Sequence, residues 1–239
     1  MSLIRLYFPN KIQSDLTSHL PKEQTHYIKD VMRLKIGDKL SIFNTFGEWS
    51  AVIESYEKSG VRIKVTEKVR DKDNEKNIWL AFSPIKQNPL NLVIQKGTEL
   101  GVQKFIPILS ERTVVREINI KRIKKIIVEA SEQCNRISVP EINEPKSLKF
   151  FLSQFPKNGC LVFCDINSSK KKLKIFLSKK FDGPVCILVG PEGDFSESER
   201  KIIIDLNETH SFSLAENILK AETAALSAIA IVNYHLNLS

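Results

Sequence analysis

The sequence predicts an α/β protein in two parts, a small β-rich N-terminal domain and a larger domain in which strands and helices alternate. Three observations carry this. Short, alternating apolar segments crowd the first 72 residues. A stretch with no apolar residue, 70–77 (RDKDNEKN), follows them. Beyond it, short apolar runs alternate with segments of helical spacing, and repeated β-α units pack as a largely parallel sheet with helices on both faces. The polar stretch has a linker composition, which places the boundary there and gives domains 1–72 and 73–239.

In the N-terminal part, Leu6 to Phe8 is a short apolar run. Pro21 to Arg33 has helical spacing, with His26, Ile28, Val31 and Leu34 as candidate core contacts, and Gly37-Asp38 makes a turn. Lys39 to Phe43 and Trp49 to Tyr56 alternate like half-buried strands around a hairpin-type loop, Asn44-Thr45-Phe46-Gly47. Gly60 opens a third strand, Val61-Ile63-Val65, whose neighbours Arg62, Lys64 and Thr66 face the other way. Strands this short and closely spaced predict a small barrel.

In the C-terminal part, Ile78 to Phe82 is a strand. Pro89 to Leu100 is a helix with a stripe at Leu90, Val93, Ile94 and Leu100, ended by Gly101. Phe105 to Leu109 is a strand. Ile120 to Cys134 is a helix with Ile123, Ile126, Ile127, Ala130 and Cys134 on one face and Lys121, Lys124 and Lys125 on the other. Leu161 to Cys164 is a strand, and Lys170 to Lys180 is basic and amphipathic. A strand at 185–189, a helix at about 196–206, a strand around Phe212 and a helix at about 222–235 complete the chain.

Composition narrows the function classes. No apolar run approaches the ~20 residues that span a bilayer. The N-terminus, MSLIRLYFPN, has no signal-peptide pattern, so a cytoplasmic location is expected. Cys134, Cys160, Cys164 and Cys186 form no CxxC and no metal-ligand spacing with a histidine; Cys134 and Cys186 read as buried thiols, and no metal is expected. The net charge of +8 is spread evenly. Residues 1–72 hold 13 basic and 9 acidic side chains, and the remainder hold 23 and 19. Such a balance fits a polyanionic partner such as RNA or DNA, or simple solubility.

The most informative stretch is Leu188-Val189-Gly190-Pro191-Glu192-Gly193-Asp194-Phe195. An apolar run ends in a Gly-Pro-Glu-Gly turn, and a helix-like segment opens at Ser196. In α/β proteins ligands sit where parallel strands end, and glycines there let backbone approach a ligand closely. Leu214 to Thr223 (LAENILKAET) repeats the arrangement of apolar strand, polar loop and helix. GxGxxG, GxxxxGK[ST] and GxSxG are all absent. Other candidates are Gln95, Lys96 and Glu99 on one helix, Glu132 to Arg136 at the end of another, and Glu216, Asn217, Lys220, Glu222 and Thr223. Lys96 and Glu99 read first as a surface ion pair, while Glu132, Gln133, Arg136, Glu222 and Thr223 read equally as helix-end stabilisation.

Taken together and in order, QKGTELGV (95–102), EASEQCNR..VPEI (129–142), LVGPEGDFSESE (188–199) and ILKAETAAL (218–226) resemble the RsmE family. These are SPOUT-class enzymes that methylate N3 of a uridine in 16S ribosomal RNA. RLYFPN (5–10) and H..KDVMRLKIGD (26–38) match as well, so the resemblance runs nearly end to end. It implies a PUA-like N-terminal barrel that helps hold RNA, a SPOUT domain with a trefoil knot around residues 160–235, S-adenosylmethionine as cofactor and a homodimer. It implies cofactor loops at Leu188, Val189, Gly190, Pro191, Glu192 and Gly193 and at Leu214, Ala215, Asn217, Ile218 and Leu219, contacting the cofactor largely through backbone. Arg136, Glu132, Lys96 and Glu99 are the substrate-side candidates for catalysis. Arg5, Arg33, Lys35, Arg112 and Arg116 are the expected RNA contacts, with an assembled small ribosomal subunit as partner.

The chain departs from the family pattern at four places. Asp194 stands where a second glycine is usual, Ala215 replaces a glycine, and Asn217 and Lys220 replace arginines. These changes motivate a rival reading, a non-catalytic RNA-binding or ribosome-assembly protein that keeps the fold. A SPOUT methyltransferase with another target base is a third.

Overall fold

The computed structural model describes residues 4–72, 75–169 and 176–238, in two compact units. Unit 1 is residues 1–74 with 131–139, and unit 2 is 75–130 with 140–239.

Unit 1 is a five-stranded mixed sheet. Its strands are β1 (Arg5–Tyr7), β2 (Thr17–His19), β3 (Lys39–Asn44), β4 (Gly47–Glu57) and β5 (Gly60–Asp71), in the order β1-β3-β4-β5-β2. The two hairpin pairs, β3/β4 and β4/β5, are antiparallel, while β1 joins β3 in parallel. Alternation buries one face: Leu40, Ile42, Ala51, Ile53, Val61, Ile63 and Val65 form its core with Leu6, Leu20 and Ile28. Beneath β1, the Arg5 guanidinium uses all five of its N–H groups. It grips Glu48 from Nε and Nη2 at 2.9 and 3.3 Å, and donates to the carbonyls of Ser131, Glu132 and Arg136 at 3.1, 3.0 and 2.8 Å. Arg70 adds a second cation to Glu48 at 2.9 Å. Burial would raise the Glu48 carboxyl, but the hydrogen bonds and charges of Arg5, with Ser41 and Arg70, hold it below the ordinary carboxylate range.

The segment expected to be one helix over 21–33 differs. It is α1 (Lys22–His26), a π-helical turn Tyr27–Val31, and then Arg33 in the left-handed region at φ 55°. Only Ile28 of the four expected contacts is buried; Leu34 is half-buried, and His26 and Val31 are exposed. The i→i+5 turn re-aims the chain after one helical turn, so the 3.6-residue stripe does not persist. The linker expectation for 70–77 also shifts. Arg70 and Asp71 belong to β5, held by pairing with Glu48 and Gly47, and 73–74 lie outside the described residues.

Unit 2 is built on a parallel sheet of β6 (Ile78–Phe82), β7 (Val102–Leu109), β8 (Glu141–Ile142), β10 (Cys160–Cys164), β11 (Val185–Val189) and β12 (Thr209–Phe212), in the order β12-β10-β11-β6-β7-β8. A further strand, β9 (Lys146–Ser147), pairs with β7. Its helices are α2 (Gln87–Glu99), α3 (Ile120–Gln133, whose end joins unit 1), α4 (Leu148–Ser153), α5 (Glu197–Ile204) and α6 (Ala221–Leu238). The central strands are buried along their length, as continuous apolar runs in a parallel sheet must be. On one face Ala81, Ile106, Ile108, Leu161, Phe163, Cys186 and Leu188 pack with Leu148, Phe151, Phe195 and Ile203.

α2 starts at Gln87, two residues before the expected Pro89, because a proline in the first turn forfeits no intrahelical hydrogen bond. Leu90, Val93 and Ile94 are buried as expected and Leu100 half so, and α3 buries Ile123, Ile127 and Ala130 while exposing Lys121, Lys124 and Lys125. Cys134, expected in the core, is half-buried because α3 has ended before it. The strand expected around Phe212 runs over Thr209–Phe212, leaving 213–220 as loop. β2, β8, β9 and α4 were not anticipated; each is short, and α4 is announced only by its Ser147 cap on the Phe150 amide. The basic run at 170–180 lies mostly outside the described residues, 170–175 among them.

Replacing Arg5 with Met leaves a buried carboxylate and three carbonyls short of a donor. The expected cost to unit 1 is about 3 kcal/mol. Urea unfolding followed through Trp49 in a Trp79→Phe background measures it, and an unshifted midpoint would rule out the network as a mainstay of this unit.

Candidate active site

At the carboxyl ends of β10 and β12 lies a small open cleft of about 40 Å³, lined by Cys164, Asp165, Ile166, Ser213, Leu214, Ala215, Asn217, Leu219 and Ala224. The sheet puts it there. β10 pairs with β11 on one edge and β12 on the other, so the loops after all three strands leave the sheet side by side. The lining is mostly apolar and small. Among the described residues, the backbone N–H groups of Leu214, Ala215, Asn217, Ile218 and Leu219 donate to no backbone carbonyl. Apolar walls beside spare amide donors are the chemistry that meets the edge of a planar, nitrogen-rich group such as an adenine ring.

The floor is a buried ion pair. Asp165, fully buried just past β10, accepts from Arg200 at 2.7 and 3.1 Å, from the Ser168 hydroxyl at 2.6 Å and from the Asn167 amide at 2.9 Å. Burial alone would raise its carboxyl; the hydrogen bond from Arg200, with Ser168, Asn167 and the Arg200 charge, holds it below the usual carboxylate range. Cys164 goes the other way. Burial pushes its thiol up to about 12, so it stays neutral at physiological pH and is no nucleophile.

The first glycine loop follows β11. Leu188 and Val189 are strand residues whose side chains are in the core, and the Val189 carbonyl already accepts from Ser83 at 3.1 Å. Gly190 lies beneath the Phe195 ring, where an added Cβ would come within 2.9 Å of a ring carbon. Pro191 is half-buried, and Glu192 and Gly193 are exposed. Asp194 adopts φ 58°, a conformation in which glycine is cheap and aspartate is tolerated, and its carboxylate accepts from the Phe195 amide at 2.8 Å. Of the two predicted loops, only the second lines the cleft, and Ile218 within it points to solvent at 83 % exposure. Cys164, Asp165, Ile166, Ser213 and Ala224 were missed, although Asp165 directly follows an apolar run, the same strand-end signal that marked Gly190.

The substrate-side candidates divide between the units. Lys96 and Glu99 on α2 form a half-exposed pair at 2.8 Å in unit 2. Glu132 and Arg136 belong to unit 1, where Glu132 accepts from the Tyr7 amide at 2.8 Å and buried Arg136 donates to Ser138 at 2.9 Å. Among the expected RNA contacts, Arg33, Lys35 and Arg116 are exposed. Arg5 is a correction. Its donors are committed inside unit 1, so it has none to spare for phosphate. Arg112 donates to the Gly193 carbonyl at 2.9 Å. Among the described residues no group of three or more His, Cys, Asp or Glu side chains could hold a metal, and no helix is long and apolar enough to cross a membrane.

Comparison with known proteins settles the family. A family model described as an RNA methyltransferase domain matches residues 72–233, and one described as an RNA methyltransferase PUA domain matches 20–66. The chain is 32% identical over 235 residues to ribosomal RNA small subunit methyltransferase E of Rickettsia conorii, covering 97% of this chain and 96% of the relative. The chain belongs to the RsmE family. The Bacillus subtilis RsmE is 29% identical, covering 95% and 94% of the two chains. The crystal structure of the Neisseria gonorrhoeae RsmE bound to S-adenosyl methionine superposes with a TM-score of 0.86 at 26% identity, covering 98% of both chains.

The family's QKGTELGV motif is mainly a packing device in this chain. A Cβ on Gly97 would stand 3.0 Å from the buried Phe105 ring, Thr98 is buried, and Asn233 of α6 caps the Leu100 carbonyl at 2.8 Å.

Two predictions follow from the loop geometry. Asp194→Gly should leave stability unchanged, whereas Asp194→Ala, keeping the left-handed turn without the side-chain acceptor, should cost about 1 kcal/mol by denaturant titration; equal stability of the two variants would refute the strain argument. Arg200→Met should cost about 3 kcal/mol at pH 7. Because the folded Asp165 pKa is depressed, the wild-type ion pair stabilises above the unfolded carboxyl value and fades as pH falls through the folded one. The gap between wild type and Arg200→Met should therefore narrow in acid, and a pH-independent gap would contradict it.

Proposed function

We propose that this chain uses S-adenosylmethionine to methylate N3 of a specific uridine in 16S ribosomal RNA, acting in the cytoplasm as a homodimer on the assembled small ribosomal subunit. In this reading unit 1 is a PUA-like barrel, and residues 160–235 form a trefoil knot within the domain that begins near residue 73. The observation that carries it is the cleft at the ends of β10 and β12, with apolar walls and spare amides, in a chain of the RsmE family.

Bound S-adenosylmethionine supplies a methyl group already activated by its sulfonium. The chain's residues therefore have to bind, orient and manage one proton. Leu214, Ala215, Leu219 and Ala224 shape the apolar walls, and the amides of Leu214, Ala215, Asn217, Ile218 and Leu219 supply donors. Gly190 to Gly193 offer backbone at the neighbouring strand end. Aligning the target nitrogen with the methyl group is proximity catalysis, and the uridine must be unpaired or extruded to be reached. Removal of the N3 proton needs an acceptor. Lys96 and Glu99 stay substrate-side candidates as an ion pair, although their end of α2 packs beside Asn233, nine residues along α6 from the Ala224 that lines the cleft. Glu132 and Arg136 are assigned to positioning, because their groups are engaged in ordering the 131–139 segment. Arg33, Lys35 and Arg116 remain for phosphate.

The departures from the family pattern do not close the cleft. Ala215 adds a methyl group to its wall, and Asn217 keeps a polar side chain at its rim. This favours the enzyme over the non-catalytic reading.

The test is calorimetric titration with S-adenosylmethionine, then incubation with unmethylated small-subunit particles and radiolabelled cofactor. Label at N3 of one uridine is expected. Cofactor binding without transfer to any particle, even after Asn217→Arg, would favour the non-catalytic alternative.

A further inference from the structure

The loop between Gly190 and Phe195 is fixed at its two ends and bare in the middle. Gly190 lies beneath Phe195, whose ring is buried edge-on against Phe163 at 5.6 Å. The Asp194 N–H closes a turn onto the Pro191 carbonyl at 2.9 Å. Between them Glu192 and Gly193 are exposed. Among the described residues, one side chain from outside the segment hydrogen-bonds the backbone of 190–195. It is Arg112, whose Nη1 donates to the Gly193 carbonyl at 2.9 Å. Its stem covers the glycine, with Cβ and Cδ at 3.6 and 3.8 Å from where a Gly193 Cβ would stand.

Arg112 is itself held firmly. It sits in the turn after β7, where the Ser110 amide donates to the Thr113 hydroxyl at 2.9 Å and both residues are buried. The neighbouring Glu111 amide donates to Glu199 at 2.9 Å. Buried Glu199 also accepts from the Ser196 amide at 3.1 Å in the capping box that opens α5. Glu199 thus ties the turn after β7 to the far end of the glycine loop, and Arg112 ties that turn to the loop's middle. Fixing the Gly193 carbonyl fixes the plane of the 193–194 peptide, which leaves the Asp194 N–H aimed at Pro191.

We propose that Arg112 is a positioning residue of the first cofactor loop, a strut that holds Gly190–Gly193 in its binding shape rather than a contact for RNA phosphate. This rests on the assignment of that loop to S-adenosylmethionine. A guanidinium on a carbonyl is stronger than a neutral hydrogen bond, and a loop that binds through backbone depends on peptide orientation.

Four measurements on the full-length protein test it. By calorimetry without RNA, Arg112→Ala should weaken S-adenosylmethionine binding about tenfold, and Arg112→Lys, which keeps a donor, should recover much of it. In methylation assays, KM for S-adenosylmethionine should rise by a larger factor than kcat falls. Hydrogen exchange of the 190–195 amides, measured without cofactor, should speed up in Arg112→Ala and not elsewhere in unit 2. The salt dependence of binding to a 16S RNA fragment should keep its slope. Unchanged cofactor affinity and unchanged loop exchange, or a slope reduced by about one phosphate contact, would overturn the proposal. If the wild-type protein binds no S-adenosylmethionine, the functional reading has failed, and exchange in the 190–195 loop still decides whether Arg112 is a strut.

Discussion

Strand β10 is paired in parallel on both edges, with β11 on one side and β12 on the other, and the candidate site depends on this. Leu161 stands opposite both Cys186 and Thr209, and Phe163 opposite both Leu188 and Ser211. The three strands therefore end level, and three loops emerge together. The chain leaving β11 has to pass β10 to become β12, so the glycine loop after β11 and the cleft loop after β12 are separated in sequence by only one helix and one strand. The register is enforced by burial. A one-residue slip of β10 would turn Leu161 and Phe163 away from Leu188, Phe195 and Ile203 and break the core on both faces.

A core can fix strand ends but not the loops beyond them, and in this protein charged groups do the latter. Asp165 with Arg200 ties the loop after β10 to α5. Glu199 ties the start of α5 to the turn after β7. In unit 1 the Arg5–Glu48–Arg70 cluster does the same for the 131–139 segment. Buried ion pairs add little net stability over well-packed apolar residues, but removing one partner is costly. Their value lies in position. Each joins backbone segments that hydrophobic contact alone would let slide.

Much of this was legible in the sequence where one physical signal dominated. Continuous apolar runs gave β6 and β11 to the residue, because a fully buried parallel strand has no polar face. The lysine face and isoleucine face of α3 were likewise plain. Legibility failed where tertiary context decided. The π-helical turn at Tyr27–Val31 has no compositional mark. Arg70 and Asp71 looked like linker, yet cross-strand partners make them strand. Arg5 looked like a surface cation because nothing in a sequence shows three carbonyls of residues 131–136 converging on its guanidinium. The glycine loop after β11 was found through its glycines, whereas the equally placed Asp165 was missed because an aspartate after a strand is ordinary until Arg200 is seen to reach it.

Two of the four departures that the resemblance implies, Asp194 and Ala215, fall where backbone, rather than side chain, carries the geometry. Asp194 replaces a glycine at a left-handed position, and it offsets the strain with a carboxylate that accepts the next amide. Ala215 has its carbonyl fixed by the Ser213 hydroxyl at 2.9 Å, so its extra methyl group sits on a loop whose path is set by a neighbour. Asn217 is exposed, and no packing depends on it. Gly190 is different. A side chain there would strike the Phe195 ring, and Phe195 is anchored in the core against Phe163, so neither can yield without the other. Gly190 is thus sterically required, whereas Asp194 and Ala215 stand where a side chain is compatible with the backbone shape. A site that holds its ligand through peptide groups can change in this manner and keep its geometry.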